Sequence, residues 1–176
     1  MGLKSGPGMS DTETTLGEGA LGADVLAKAN INPETGLATD YLNHFNEVVM
    51  LMDMLPDMPD CAEDVLDWAP CDYVEHFQRS TFAAKELAIL AYGAAPRALR
   101  AHLETIILQI DSEVARAQSM LEGGADSETC ATVARMANED IRPLIGAASG
   151  AIHGKMDDAD EAEESSAQAD IDAMFG

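Results

Sequence analysis

Residues 97–121 read Arg97-Ala-Leu-Arg-Ala-His-Leu-Glu-Thr-Ile-Ile-Leu-Gln-Ile-Asp-Ser-Glu-Val-Ala-Arg-Ala-Gln-Ser-Met-Leu121. Leu99, His102, Leu103, Ile106, Ile110 and Val114 recur at three- and four-residue intervals, the spacing that puts side chains on one face of an α-helix. Pro96 fits the first turn, where its missing amide hydrogen costs nothing, and Gly123-Gly124 supplies the stop. A helix this long with one apolar face has to bury that face against other helices.

The neighbouring segments provide such partners. Over Leu37–Met54, Leu42, Phe45, Val48, Val49 and Met52 repeat the same spacing and lead on to Leu55, with Thr39 or Asp40 as the N-cap and Pro56 and Pro59 as breakers. A short helix is expected over Asp60–Trp68, with Asp60 as its cap and acids in its first turn, ended by Pro70. Asp72–Tyr92 carries Tyr73, Phe77, Phe82, Leu87, Leu90 and Tyr92 before Gly93. Ser80-Thr81 can re-cap the chain there, giving either one bent helix or two. Ser127–Ile152 forms the last, holding Val133, Met136, Ile141, Leu144 and Ile145, with Pro143 expected to kink or interrupt it. No β-alternation of useful length and no internal repeat appears. The expectation is an all-α, compact bundle of four to five helices over residues 37–153.

Composition agrees. In 176 residues, 47% are hydrophobic, enough for a core, but only 5% are aromatic, while Ala, Leu and Met are plentiful. Residues 1–36, rich in Gly, Thr, Ser and acids with a helical patch only near Ala20–Ala29, are expected to be a mostly disordered arm. Residues 154–166 form an acidic linker, and 167–176 a short amphipathic docking peptide.

The formal charge of −22 leaves no basic stripe to displace phosphate counterions, so nucleic acid is not an expected partner, nor is an anionic membrane surface. No apolar run approaches the roughly 20 residues that span a bilayer, and the first residues lack the apolar stretch of a secretory signal. Cys61, Cys71 and Cys130 are odd in number and lack C-x-x-C spacing, which fits reduced thiols and a cytoplasmic location.

Beyond the acidic linker, Ile171, Met174 and Phe175 return at i, i+3 and i+4, with Asp170 and Asp172 toward the other side of a short helix. One such turn is unstable alone, so the pattern suits folding into a partner's groove or folding back on the bundle. The stretch Ala167-Gln-Ala-Asp-Ile-Asp-Ala-Met-Phe175 resembles the peptide S-Q-[AE]-[ED]-I-D-A-L-[LF] of flagellar motor switch proteins, which docks on the phosphorylated chemotaxis response regulator. A related acidic–apolar helix ends the chemotaxis phosphatase and docks on the same regulator. The resemblance implies that Gln168, Ile171, Asp172, Ala173, Met174 and Phe175 contact a receiver domain, with Ile171, Met174 and Phe175 as anchors. It covers about ten residues; here Ala167 stands for the family's Ser and Met174 for its Leu, and the peptide lies at the opposite end of the chain.

A second constellation is Asp40-Tyr-Leu-Asn43. Removal of a receiver's aspartyl phosphate needs a side-chain amide to orient water and an acid to hold a receiver group, one helical turn apart. The acid-x-x-amide spacing resembles what receiver phosphatases use, although Asp40 as a cap and Asn43 as a solvated residue explain the pair as well. For metals, His44 and Glu47, Glu75-His76, and His102 with Glu104 offer ligand types, but the paired Glu-x-x-His motifs of a di-iron bundle do not occur. No Gly-rich phosphate loop, nucleophile elbow or Cys–His pairing is recognisable, and no cofactor or metal is expected. The leading expectation is a non-enzymatic signalling adaptor for a chemotaxis or two-component partner. A helical phosphatase using Asp40 and Asn43, and an oligomerising bundle with its tail folded back, are the alternatives.

Overall fold

The computed structural model describes residues 15–155, and every regular element among them is helical. The α-helices are α1 Ala23–Lys28, α2 Asn43–Met54, α3 Ala62–Asp67, α4 Tyr73–Arg79, α5 Lys85–Ala94, α6 Arg97–Glu122, α7 Ser127–Met136 and α8 Arg142–Ile152. Short 3-10 turns precede α1, α2 and α3, at Gly19–Leu21, Thr39–Leu42 and Pro59–Cys61. The chain is all-α, with α6 as its central strut.

Helix α6 buries Leu99, Leu103, Ile106, Ile107, Ile110, Val114, Ala117 and Leu121 along one side. It lies against α8 over most of that helix's length and meets α7 and α3 farther along. The small residues of α8, Ala147, Ala148, Gly150 and Ala151, suit this contact because short side chains let two helix backbones approach closely. Helix α2 packs Phe45, Val48, Val49 and Met52 into the same core and touches α3 and α7. Between α7 and α8 the chain makes one wide turn, Ala137–Ile141, in which the Arg142 amide reaches back five residues to the Ala137 carbonyl. Pro143 explains it: with no amide hydrogen, and a ring that crowds the carbonyl four residues back, it cannot continue a regular helix, and a π-turn absorbs the misfit.

The caps differ from those expected. Helix α2 begins after the 3-10 turn without a side-chain cap, so neither Thr39 nor Asp40 serves. Asp60 lies inside a 3-10 turn rather than capping α3. Asp72 and Asp126 do cap, accepting from the Glu75 and Thr129 amides at 2.7 and 2.8 Å. Segment 72–92 divides in two, with Ser80 Oγ accepting from the Phe82 amide at 3.1 Å just past the break. Gly93 sits within the last turn of α5 and does not stop it.

The largest correction concerns the arm. Residues 15–36 are folded onto the body rather than disordered: Leu21, Leu26 and Ile31 are fully buried. They lie five residues apart, a spacing that belongs to neither helix nor strand, and separate turns insert each into the core. Asn32 organises the last of these turns, its Oδ1 accepting from the Glu34 and Thr35 amides. Gly36 follows with φ 75°, and a Cβ there would lie 2.7 Å from the Ala91 carbonyl oxygen and 2.9 Å from Leu16, so only glycine fits. The buried Thr35 hydroxyl donates to the Ile152 carbonyl at 2.6 Å and accepts from the Leu37 amide, fastening this segment to the end of α8.

Candidate functional site

Tyr41, Phe45, Trp68, Tyr73, Phe77, Phe82 and Tyr92 form one continuous aromatic cluster where α2, α4, α5 and the loop after α3 meet. With three Tyr, one Trp and four Phe in the chain, this gathers every aromatic side chain except Phe175 at one end of the body. The arrangement is held by polar pins. Tyr41 donates to the Cys71 carbonyl at 2.8 Å, the Ala38 amide donates to the Tyr73 hydroxyl at 2.8 Å, and Trp68 Nε1 donates to the His44 carbonyl at 2.9 Å. From α6, the Gln118 amide donates to the Val65 and Trp68 carbonyls, both at 2.8 Å, and so satisfies the end of α3.

On one flank of the cluster stand Asp40, Asn43, His44 and His76. His76 Nε2 donates to Asp40 Oδ2 at 3.0 Å, and Asn43 Nδ2 donates to Asp40 Oδ1 at 3.2 Å. The two residues predicted as an acid–amide pair are therefore in contact, and a histidine that sequence spacing did not connect to them orients the acid. His44 stacks on Trp68 with ring centroids 4.7 Å apart and donates from Nε2 to the Ala69 carbonyl at 2.7 Å. Burial holds its imidazole below the ordinary histidine value.

His44 and His76 share a small cleft with Cys71, Arg79 and Ser80. Imidazole, carboxylate and thiol are the parts of a nucleophilic triad, but the thiol is tuned the wrong way. Burial pushes Cys71 upward and its Sγ donates to the Asp72 carbonyl at 3.4 Å, so it stays protonated. Cys61, Cys71 and Cys130 are all free and buried. Among the described residues no group of three or more His, Cys, Asp or Glu side chains is arranged to hold a metal ion, and no helix is long and apolar enough to cross a membrane.

Asp40 and Asn43 also line a cleft of about 470 Å³ whose other side is the exit of α8, at Ile152 and His153. The C-terminal end of α8 thus lies across one cleft from the acid–amide pair. The docking peptide itself, with Gln168, Ile171, Asp172, Ala173, Met174 and Phe175, lies outside the described residues.

On the other flank, all three tyrosines face a second cavity, closed from behind by α6. Asp111 of α6 opens into it, with Oδ1 buried and without a hydrogen-bond partner. Loss of solvation pushes this carboxyl up to about 6. Sequence reading passed over Asp111, although a signal was present. It follows Leu103 and Ile107 at i+8 and i+4, which places a carboxylate on the edge of an apolar helix face. Comparison with known protein families, with curated proteins and with solved structures finds no match for this chain.

Proposed function

We propose that this chain is a cytoplasmic signalling adaptor whose Gln168–Phe175 peptide docks a receiver-like domain of a chemotaxis or two-component system. The observation that carries the reading is the peptide itself: Ile171, Met174 and Phe175 at helical spacing beyond an acidic tether, in a stretch that resembles the receiver-docking peptide of motor switch proteins. Its point of departure from the body supports it. The 154–166 linker follows His153, which lines the same cleft as Asp40 and Asn43, and the twelve residues between Lys155 and Gln168 reach at most about 40 Å at the extended-chain limit. That is enough to hold a domain-sized partner, roughly 30 Å across, against the same end of the body.

A second reading is favoured by one contact. Asp40 and Asn43 stand one turn apart across a cleft from the end of α8, with His76 fixing the acid, which is the side-chain inventory for dephosphorylating a tethered receiver. The hydrogen bond between them joins exposed groups and is worth about 1 kcal/mol, so docking can separate them.

One experiment addresses both. Full-length protein and a form lacking residues 166–176 are compared for binding to a panel of phosphorylated receiver domains and for thermal stability. Binding should vanish with the deletion while the thermal midpoint stays put; a large drop in midpoint would instead show the peptide packed on its own bundle. In the same assay Asn43→Ala should leave binding intact. If it also leaves the receiver's dephosphorylation rate unchanged, the catalytic reading is wrong and the adaptor reading stands.

A further inference from the structure

We propose that the cavity between the three tyrosines and α6 is a binding site for a small organic cation, an ammonium group carried on a compact apolar body. The cavity holds about 360 Å³, within the range of small-ligand sites. Its walls are Tyr41, Tyr73, Tyr92, Leu103 and Ile107, with the exposed Leu108 as an apolar lip. Tyr73 and Tyr92 stack on each other at 4.3 Å with their planes 14° apart, and the Arg100 guanidinium lies over the Tyr92 ring at 5.6 Å from its centroid, so these rings are held rigidly at the cavity's edge.

Charge decides the class of ligand. Four carboxylates, those of Asp72, Glu75, Glu104 and Asp111, line the cavity, and no Lys, Arg or His does. Glu104 is held at the rim by the Tyr92 hydroxyl, which donates to its Oε2. Asp111 lies deeper, and its orphaned Oδ1 is an acceptor with no donor in the protein. A ligand N–H would supply that donor, and an ammonium would also neutralise a carboxylate that burial has deprived of water. The chain's own 167–176 peptide makes a poor occupant, because Asp170 and Asp172 would enter a cavity that already carries four acids.

The test is calorimetric titration of the full chain with 2-phenylethylamine and with its uncharged counterpart 2-phenylethanol. Salt of about 0.15 M suppresses diffuse attraction to the acidic surface. The amine should bind saturably at one site, the alcohol at least tenfold more weakly, and Asp111→Asn should cost the amine at least tenfold while leaving the alcohol unchanged. Equal binding of the two compounds, no saturable binding of the amine, or an unaltered amine affinity in Asp111→Asn would overturn the proposal. A reading on the unmodified chain guards against a variant that folds poorly. The amine should shift the methyl resonances of Leu103 and Ile107 saturably, and shifts scattered over the acidic surface would count against the site. A tri-arginine peptide that saturates those methyl signals where the amine does not would reassign the cavity to a partner protein's side chain, against the small-ligand proposal.

Discussion

Asp111 shows how one residue can work against the fold that holds it. Unfolded, its carboxyl titrates near 3.8; folded, burial lifts it to about 6. Below the lower value both states are protonated and the site costs nothing. As pH rises from 3.8 to about 6, the folded chain keeps a proton that the unfolded chain releases, so stability falls; above about 6 the cost is fully present. Asp111→Asn removes this titration while keeping the shape. The variant should be more stable than the parent at about pH 7.5, by roughly 1 kcal/mol after discounting for partial solvent access, or about 2–4 °C in midpoint. The gap should close as the pH approaches 4. Paired thermal melts across that range check it, and a gap independent of pH would show that ionisation is not the cause. Asn43 and Asp40 were legible as a pair because they lie three residues apart. His76, which orients Asp40 from 36 residues away, was not, since only the packing of α4 against the turn before α2 brings it there.

At the scale of elements, helices with a continuous apolar face and a clear breaker were readable. Residues 43–54 and 97–122 are helical much as their periodicity predicts, and the interruption ahead of Pro143 follows from its missing donor. Caps were less readable, because any Asp near a helix start competes for the role. Asp40 and Asp60 fell inside 3-10 turns, whereas Asp72 and Asp126 stand directly before their helices. The segment before α2 was misjudged because Leu21, Leu26 and Ile31 follow no regular period, and a Gly-rich, acidic composition masks three anchors. Those anchors yield a sharp expectation. Leu26→Ala should destabilise the protein by about 2–5 kcal/mol, as for a buried leucine, in chemical denaturation. A disordered arm would tolerate the change without a measurable shift.

For the molecule as a whole, the all-α class was visible in composition and periodicity, but the aromatic cluster was not. Its members come from positions 41, 45, 68, 73, 77, 82 and 92, on segments whose mutual packing no local pattern encodes. Charge acts at this scale too. With a formal −22 on 176 residues, the folded state repels itself more than the expanded one does. Raising salt from about 0.01 to about 0.15 M shortens the screening length from roughly 30 to 8 Å and should raise the thermal midpoint by several degrees. A midpoint that is flat or falls over that range would mean that local ion pairs, such as Arg116 with Glu113 and Asp140, outweigh the net charge.

The Thr35 hydroxyl that bonds the Ile152 carbonyl joins residues 117 positions apart. Leu16 crowds Gly36 and Gly154 lies near Thr35, so the two ends of the described chain meet in one neighbourhood around Thr35 and Gly36. The Thr35 hydroxyl latches the start of the described chain, already anchored by Leu21, Leu26 and Ile31, to its end. A short splice from Lys155 to Thr15 would close the chain covalently into a ring, and the Gly123-Gly124 turn after α6 offers a place to cut it open again. Two fluorophores attached at Leu16 and Lys155 would therefore sit close together and report on the latch itself.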